Sequence, residues 1–342
     1  DAVFTKDKGK VFSCFACGGG STMGYKLAGF DVIGHNDIDK KMIEVYKENH
    51  NPKYSFLESI TTFAKRKDLP KELYELDILD GSPPCSSFSM AGNREKDWGK
   101  EKKFREGQKF QVLDTLFFDF IDLAKELQPK VVVAENVKGL LLGNAKEYVR
   151  KIYTAFDEAG YYCQHFLLDA SKMGVPQRRE RVFFIALRKD LAKPFLHWQD
   201  MFTEVPKIEM EFNEKEIPFK EIKSINEAPL FHHYAPCIEP YIKLCIPGES
   251  CSKYHPKGNF SGAYLVNENK ALNTILAGVS KCRMGAIVDK ERMLTKSECY
   301  KGGSFPLDYI CKDPYYMVGM SVPPVMTAQV ASNIYDQWLS KI

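Results

Sequence analysis

Cys85 is the side chain of this sequence best placed to act as a nucleophile. It follows Pro83 and Pro84 in the segment Gly81–Pro84, which comes after the run Leu76–Asp80 that predicts a strand. The prolines fix the backbone ahead of the cysteine, and a thiolate held still in this way is a good nucleophile. Buried structural cysteines are commoner, but the serines after Cys85 make its surroundings polar. We therefore expect covalent chemistry at Cys85.

A carboxylate ends a second apolar run, Val131–Glu135, which also predicts a strand. Burying Glu135 at the end of a strand is costly unless the carboxyl group is paired or protonated. Glu135 is therefore a candidate general acid, and a helix cap is the alternative interpretation.

Glycines and an acidic residue indicate a cofactor that carries a nucleoside. The run Gly18–Gly20 separates the predicted strand Val11–Ala16 from a helix, so a ligand can approach the backbone and the helix amino terminus. Asp37 follows the next strand, where an acidic residue typically binds a ribose diol. The dinucleotide fingerprint G-x-G-x-x-G is not matched, because Met23 stands where a glycine is needed. A glycine-rich turn with an aspartate cap is the alternative.

Strands and helices alternate through the first half of the chain, which predicts an α/β fold with a mostly parallel sheet and helices on both faces. Ligands bind at the carboxyl ends of the strands in such sheets, where the candidate residues lie. The predicted strands are Val11–Ala16, Asp31–His35, Leu76–Asp80, Val131–Glu135 and Arg181–Leu187. The predicted helices are Thr22–Ala28, Ile38–Asn49, Phe110–Leu127, Ala145–Ala159 and Val322–Leu339, the last folding back onto the sheet.

The helical period is lost from about Arg188 to Cys311, where prolines, glycines and short apolar runs dominate. We predict that residues 1–188 and 313–342 form a catalytic, cofactor-binding domain. Residues 189–312 would then form a smaller, irregular domain.

Composition excludes several classes of protein. The 342 residues are 44% hydrophobic and 27% charged with a net charge of +3, which excludes disordered and coiled-coil chains. The ten cysteines are scattered, so we expect reduced thiols and a cytoplasmic protein. We expect no signal peptide and no membrane span. The C-x-x-C of Cys14 and Cys17 lacks a second pair, and no metal site is predicted.

Six motifs in order make the chain resemble the cytosine-5 DNA methyltransferases of prokaryotic or phage type. The resemblance covers nearly the whole chain, and six motifs with the right spacing are a specific signal. The motifs are Phe15–Phe30, Pro83-Pro84-Cys85, Glu135-Asn136-Val137, Gln177–Arg181, Arg292–Thr295 with Glu298 and Phe305-Pro306, and Gly319–Val322.

The resemblance implies a Rossmann-like methyltransferase fold that uses S-adenosylmethionine. The expected reaction methylates carbon 5 of a flipped-out cytosine in a specific double-stranded DNA sequence through a covalent Cys85 adduct, with residues 189–312 as the target-recognition domain. The implied catalytic residues are Cys85, Glu135, Arg179 and Arg181. The implied cofactor-binding residues are Phe15, Gly18, Gly19, Gly20, Asp37, Ile38, Ser59, Ile60, Pro83, Leu116, Ser321 and Val322.

The expected partner is double-stranded DNA, with a cognate restriction endonuclease as a possible second partner and a monomer as the expected state. The basic, glycine-containing segment Ala91–Phe110 is interpreted as a loop that closes over DNA and contacts phosphates, with a solvated loop as the alternative. The expected DNA-binding residues are Ser87, Lys100, Lys102, Lys103, Gln177 and Thr274.

Several positions depart from the family pattern and predict a divergent member with retuned cofactor binding. Cys17 replaces a glycine, Ser59 stands where an aspartate usually binds the adenine amine, and Met320 replaces an asparagine. Ser86 and Gly302-Gly303 replace a glutamine and a Leu-Gln pair.

Three alternatives remain open. A tRNA cytosine-5 methyltransferase is disfavoured because its Cys-Phe-Thr signature is absent and because that branch lacks a large recognition domain. A catalytically silent DNA-binding relative is disfavoured because Cys85, Glu135 and Arg181 are all retained. A nicotinamide-dependent dehydrogenase is disfavoured by Met23.

Overall fold

The computed structural model describes residues 3–84, 101–102, 111–112, 115–142, 145–198, 203–258 and 262–342. Within these residues the strands are β1 (Lys10–Cys14), β2 (Asp31–Asp37), β3 (Tyr54–Leu57), β4 (Ile78–Gly81), β5 (Glu101–Lys102), β6 (Gln111–Val112), β7 (Val131–Val137), β8 (Tyr161–Asp169), β9 (Gln177–Arg178), β10 (Glu180–Arg188), β11 (Leu196–Trp198), β12 (Glu204–Pro206), β13 (Tyr264–Leu265), β14 (Leu272–Asn273), β15 (Ala286–Val288) and β16 (Arg292–Met293). The helices are α1 (Gly20–Leu27), α2 (Lys40–His50), α3 (Ile60–Phe63), α4 (Leu116–Leu127), α5 (Ala145–Glu158), α6 (Glu239–Ile242), α7 (Val279–Cys282), α8 (Lys296–Gly302), α9 (Pro314–Met320) and α10 (Pro324–Gln337).

Seven of the described strands form the central sheet, in the order β3-β2-β1-β4-β7-β10-β8. The strands β3, β2, β1, β4 and β7 are parallel, and β10 is antiparallel to both β7 and β8. The chain moves outward in one direction from β1 to β3 and in the other from β4, so the order reverses between β1 and β4. The predicted α/β fold class is confirmed.

Hydrophobic cores cover both faces of the sheet. One core packs α4 and α5 against residues such as Phe12, Val132 and Phe184. The other packs α1 and α10 against Val133 and Ile185, so the predicted return of the last helix to the sheet is confirmed. Alternate residues of each strand face opposite cores, as a strand buried on both sides requires.

Two predicted boundaries need correction. Helix α4 begins at Leu116, not at Phe110, because Gln111 and Val112 instead form a short strand with residues 101–102. Strand β2 runs to Asp37, so the candidate acidic residue ends the strand rather than following it. Strands β3 and β8 were not predicted.

Residues beyond 188 are divided among cores: Ile208 and Met210 belong to the core that α1 and α10 form on the sheet, and many others form two further cores. Ile238, Ile242, Cys245 and Leu265 form one of them. A second core contains Leu272, Leu294 and Tyr309 together with Met23 of α1 and Met317 of α9. Residues on both sides of position 312 therefore share a core, and the domain division at 189 and 312 stays a prediction. None of the described helices is long and apolar enough to cross a bilayer.

Candidate active site

A cavity of about 300 Å³ opens beside the carboxyl ends of β1 and β4, where the strand order reverses. Ligands of open α/β sheets bind at this switch point. Parallel strands end at the same edge, so residues far apart in the chain meet there. The predicted site residues that line the cavity are Phe15, Asp37, Ile38, Ser59, Ile60, Pro83, Leu116, Glu135, Arg179, Arg181 and Thr274.

The turn after β1 is fastened to the end of β2 by Asp37. The backbone N–H of Cys17 donates to Asp37 Oδ2 at 2.7 Å, and the N–H of Asp39 donates to Oδ1 at 2.8 Å. Phe15 and Cys17 both have a positive φ, 53° and 48°, so the turn takes a conformation that side chains rarely adopt. Burial raises the pKa of Asp37 to about 6, although the two N–H donors oppose this shift.

The glycine run does not line the cavity in this structure. Gly19 has a φ of 92°, and a Cβ there would lie 2.2 Å from Nε2 of His50. A Cβ on Gly18 would meet Met317, and one on Gly20 would lie 2.6 Å from the Val322 carbonyl oxygen. These glycines therefore let the start of α1 pack closely on the protein itself. Ser321 and Val322, which lie behind Gly20, do not line the cavity either.

The apolar side of the cavity comes from three elements. Ser59 is the N-cap of α3, where its Oγ accepts from the Thr62 N–H at 3.2 Å. Ile60 and Leu116, the first residues of α3 and α4, are buried. The Pro83 carbonyl oxygen accepts from the Asn136 amide at 3.0 Å, which joins the residues after β4 to β7.

Glu135 and Arg181 form an ion pair inside the cavity. Arg181 Nε lies 2.8 Å from Glu135 Oε1, and the two side chains are only 15% and 11% exposed. The antiparallel pairing of β7 with β10 places Arg181 opposite Val137, two residues beyond Glu135. Burial lowers the pKa of Arg181, and the charge of Glu135 opposes that shift. The pair supplies a carboxyl group and a guanidinium group in a largely dry site.

Arg179 and Gln177 hold the far wall of the cavity in place. The Arg179 guanidinium donates to the carbonyl oxygens of Gly319 at 2.9 Å and Ile275 at 3.4 Å. Gln177 is fully buried; its amide donates to the Gly302 carbonyl at 2.9 Å and accepts from the Ile275 N–H at 3.0 Å. Gln177 was predicted to contact DNA, but its amide is occupied here by backbone groups.

One polar atom of this wall has no partner among the described residues. Arg179 Nε is buried beside the cavity without an acceptor, which is unusual for a buried donor and leaves it able to bind a ligand oxygen. Thr274, also in the wall, donates its hydroxyl to the Arg178 carbonyl oxygen at 2.8 Å.

Other cavity residues were not in the predicted set. Ser82 and Pro84 follow the end of β4, and Asn136 and Val137 are the last two residues of β7, so their position in the pattern was a usable signal. Cys17 and Met320 had been noted only as departures from the family pattern. The remaining additions are Asn36, Asp39, Met42, Glu58, Leu276, Ala277, Tyr316 and Gly319. The last four come from distant parts of the chain; Gly319 opens a motif named in the sequence, but nothing in the sequence signalled Leu276, Ala277 and Tyr316.

Some predicted residues lie outside the described part of the chain. These are Cys85, Ser87, Lys100 and Lys103, together with the side chain of Lys102 and most of the segment 91–110. Their roles stay predictions. Among the residues that are described, no three His, Cys, Asp or Glu side chains come together in a group able to hold a metal ion.

The fold and the cavity at its switch point define a ligand-binding protein of the doubly wound α/β type. The sequence profile described as "C-5 cytosine-specific DNA methylase" matches residues 9–336. The chain belongs to this family, and the resemblance found in its motifs is confirmed.

Named relatives agree with this assignment. Type II methyltransferase M.FnuDI of Fusobacterium nucleatum is 38% identical over 53% of this chain and 48% of its own length. Type II methyltransferase M.NgoFVII of Neisseria gonorrhoeae is 27% identical over 96% of this chain and 87% of its own. The chain thus spans about half the length of some curated relatives that it matches. A crystal structure of a putative DNA modification methyltransferase from an E. coli prophage matches 96% of this chain and 99% of its own, with a TM-score of 0.66 and 18% identity, and shows the fold alone.

The ion pair in the cavity generates a prediction about stability. Arg181→Met should lower the free energy of unfolding by about 3 kcal/mol, because it leaves the Glu135 carboxylate buried without its partner. Adding Glu135→Gln should recover much of that loss, since no buried charge then remains. Urea unfolding of the four proteins in this double-mutant cycle measures the coupling.

The matched control is the exposed pair of Arg150 and Glu147, whose side chains are 80% and 61% exposed. Arg150→Met should change the free energy of unfolding by less than about 0.5 kcal/mol. Additive effects of the Arg181 and Glu135 substitutions would contradict the assigned pairing.

Proposed function

We propose that this chain transfers a methyl group from S-adenosylmethionine to carbon 5 of a flipped-out cytosine in a specific sequence of double-stranded DNA. The observation that carries the proposal is the shared cavity. It joins the turn and strand-end residues Phe15, Asp37 and Ile38 to the ion pair of Glu135 and Arg181. A donor held by the first set and a base held by the second would meet in one space. Family membership supports the same reaction.

The residues on the donor side fit S-adenosylmethionine. Phe15 and Ile38 offer surfaces for the adenine, and Asp37 offers an anionic acceptor for the ribose hydroxyls. Ser59 brings a hydroxyl, not a carboxylate, to the adenine side, so recognition of the adenine amine there rests on a weaker acceptor. When bound, the sulfonium supplies an electrophilic methyl group.

Cytosine must be activated before it can accept a methyl group, because its carbon 5 is a poor nucleophile. The Cys85 thiolate adds to carbon 6, and the electron pair displaced from the 5,6 double bond makes carbon 5 nucleophilic. Glu135 donates a proton to ring nitrogen 3 and relieves the negative charge that develops on the ring. Arg181, held by Glu135, would donate to the carbonyl oxygen of the base. After carbon 5 has taken the methyl group, it loses its proton to water, which re-forms the 5,6 double bond as the carbon 6–sulfur bond breaks with its electron pair on Cys85. Ring nitrogen 3 returns its proton to Glu135, and the aromatic ring is restored.

The substrate base must leave the duplex for this reaction, at a cost of about a few kcal/mol. Residues 91–110, with Lys100, Lys102 and Lys103, would compensate by closing over the strand and contacting phosphates. Residues 189–312 would read the sequence, with Thr274 on the cavity wall. A cognate restriction endonuclease is one candidate partner, since some relatives of this chain are named type II methyltransferases, whereas others are named orphan methyltransferases.

Trapping with 5-fluorocytosine tests the proposed function directly. Duplex DNA that carries fluorine at carbon 5 should form a denaturant-stable adduct with the protein when S-adenosylmethionine is present, because fluorine cannot leave as a proton. Cys85→Ser should form no adduct, since an unactivated hydroxyl is a much weaker nucleophile than a thiolate. Cys17→Ser, another cysteine variant near the cavity, is the matched control and should still form it. A crosslink mapped to another residue, or cytosine methylation by Cys85→Ala at the normal rate, refutes the proposal.

Glu135 can be tested separately from Cys85. Glu135→Gln should slow single-turnover methyl transfer by at least about a hundredfold, because the amide cannot donate the acidic proton. Binding of DNA and donor should change little. A single-turnover rate close to that of the unaltered protein would eliminate the general-acid role.

Donor affinity should depend on pH through Asp37. Ribose hydroxyls donate to the ionised carboxylate, so the affinity should fall as the pH drops through the Asp37 pKa of about 6. Calorimetric titration with S-adenosylmethionine should show the affinity decreasing by up to about tenfold per pH unit below that value.

Asp37→Asn should bind the donor weakly and with little pH dependence. Asp39→Asn is the matched control, because it changes a neighbouring carboxylate of the cavity into another good N-cap residue and should keep the pH dependence. An unchanged pH profile in Asp37→Asn would exclude Asp37 as the ribose acceptor.

A further inference from the structure

A tyrosine from a distant part of the chain holds the turn that follows β1. The hydroxyl of Tyr309 donates to the carbonyl oxygen of Gly18, and Nε2 of His50, the last residue of α2, lies 2.6 Å from the same hydroxyl. Tyr309 and His50 are only 2% and 7% exposed. A buried hydroxyl is costly unless it is hydrogen-bonded, and that of Tyr309 is bonded on both sides. The hydroxyl therefore serves the backbone of this turn rather than the apolar packing of the core.

The protons of these three groups point in one direction. The Gly18 carbonyl oxygen can only accept, so the Tyr309 hydroxyl uses its single proton there and accepts from His50 Nε2. Burial lowers the pKa of His50 to about 3, so the ring is neutral and carries its one N–H proton on Nε2. In agreement, His50 Nδ1 has no hydrogen-bond partner among the residues that the structure describes. Tyr309 is thus fixed as a donor to Gly18.

Further contacts fix the backbone that carries Tyr309. The side-chain amide of Asn49 donates to the Ile310 carbonyl oxygen at 2.9 Å and accepts from the Ile310 N–H at 2.8 Å. The Tyr300 hydroxyl donates to the Tyr309 carbonyl oxygen at 3.0 Å. The rings of Phe305 and Tyr309 meet edge to face, with their centroids 5.1 Å apart. The hydroxyl of Tyr309 is therefore held in one place relative to α2 and to the core beside it.

The turn that Tyr309 holds has a strained backbone. Phe15–Gly19 is named the donor turn here, because Phe15 and Cys17 line the cavity on the side assigned to S-adenosylmethionine. Both residues have a positive φ, a conformation that persists only where surrounding contacts hold it. Asp37 accepts from the Cys17 N–H at 2.7 Å, and Tyr309 binds the carbonyl oxygen of the next residue. Two side chains from different segments therefore hold successive residues of the donor turn.

The contact between the donor turn and the tyrosine–histidine pair requires a glycine. A Cβ on Gly19 would lie 2.2 Å from His50 Nε2 and 2.9 Å from the Tyr309 hydroxyl oxygen. Its φ of 92° is also one that residues with side chains rarely adopt. Gly19 thus leaves the space in which the pair reaches the backbone of the turn.

We propose that Tyr309 is a positioning residue for the methyl donor, whose hydrogen bond to Gly18 keeps the donor turn in its binding conformation. The inference rests on the proposed function, in which Phe15 and Asp37 bind S-adenosylmethionine. Without that bond the strained turn relaxes in the free protein, and only a fraction of the molecules is ready to bind. The donor then binds more weakly, because part of its binding free energy must reorder the turn. Once bound, the donor itself keeps the turn in place, so the chemical step keeps its rate.

The experiment compares donor affinity with the rate of methyl transfer in Tyr309→Phe. Calorimetric titration with S-adenosylmethionine should give a dissociation constant about fivefold higher than that of the unaltered protein, the factor that one neutral hydrogen bond typically contributes. Single-turnover methyl transfer at saturating donor, with plasmid DNA that lacks cytosine methylation, should change by less than about twofold. A residue with only a structural role would not separate the two measurements in this way.

Tyr315→Phe is the matched control. Tyr315 is buried in the same core as Tyr309, and its hydroxyl accepts from the Leu294 N–H at 3.0 Å. The same substitution therefore removes a buried hydrogen bond elsewhere in this core. Tyr315→Phe should lower the melting temperature as Tyr309→Phe does, but it should leave the donor affinity unchanged.

Equal donor affinity in Tyr309→Phe and the unaltered protein, or the same loss of affinity in Tyr315→Phe, overturns the proposal. A Tyr309→Phe variant that fails to fold while Tyr315→Phe folds also overturns it, because Tyr309 is then needed for the fold itself. A much lower rate at saturating donor would place Tyr309 in the chemical step, which contradicts a positioning role. If the unaltered protein binds no S-adenosylmethionine, the proposed function itself has failed, and that result differs from normal binding that Tyr309→Phe leaves unchanged.

Discussion

The site depends on one constraint: after the neighbouring strands β1 and β4, the chain continues towards opposite edges of the sheet. Neighbouring parallel strands normally carry their connections over the same region of the sheet, but here the connections leave in opposite directions. A crevice must open between them at the carboxyl edge. The turn at Phe15, the end of β2 at Asp37 and the residues after β4 all reach this crevice. The antiparallel strand β10 then adds Arg181 from beyond the parallel set.

The same edge collects carboxylates that stability alone would not retain. Asp37, Asp80 and Glu135 are all largely removed from water, and burial raises the pKa values of the first two to about 6. Each is held by a different kind of partner: backbone N–H groups, hydroxyl groups and a guanidinium group. Proteins commonly accept a loss of stability at sites that bind or react. The three partners show how this chain limits that loss without neutralising the charges.

Sequence patterns predicted the elements whose two faces are both buried. The largely apolar runs of β1, β4, β7 and β10 were recognisable because a strand inside the sheet is buried on both faces. Strands β3 and β8 lie at the two edges of the sheet, where partial exposure leaves mixed side chains and no clear run. The extended start assigned to α4 failed for a related reason, since apolar residues before Leu116 do not distinguish a helix from a short strand.

The candidate site was predictable where a residue lies at or near the end of a strand, as Asp37 does at the end of β2 and Glu135 does two residues before the end of β7. The part of the site that depends on close contact between the backbones of distant segments was not predictable. Gly319 lies so close to Ala277 that a Cβ on Gly319 would stand 2.2 Å from the Ala277 nitrogen. The two residues are far apart in the sequence. No periodicity encodes such a contact.

Hydrogen bonds from Arg179 and Gln177 fix the cavity wall that contains Gly319 and Ala277. Both side chains direct their hydrogen bonds to carbonyl and N–H groups of Ile275, Gly302 and Gly319, rather than to other side chains. Backbone partners are present whatever the local sequence, so the segment around Ile275 can change its side chains and still be held at the cavity. The polar residues of this motif therefore fasten the segment around Ile275 to the cavity through its backbone. The geometry around Glu135 and Arg181 then does not depend on which side chains that segment carries.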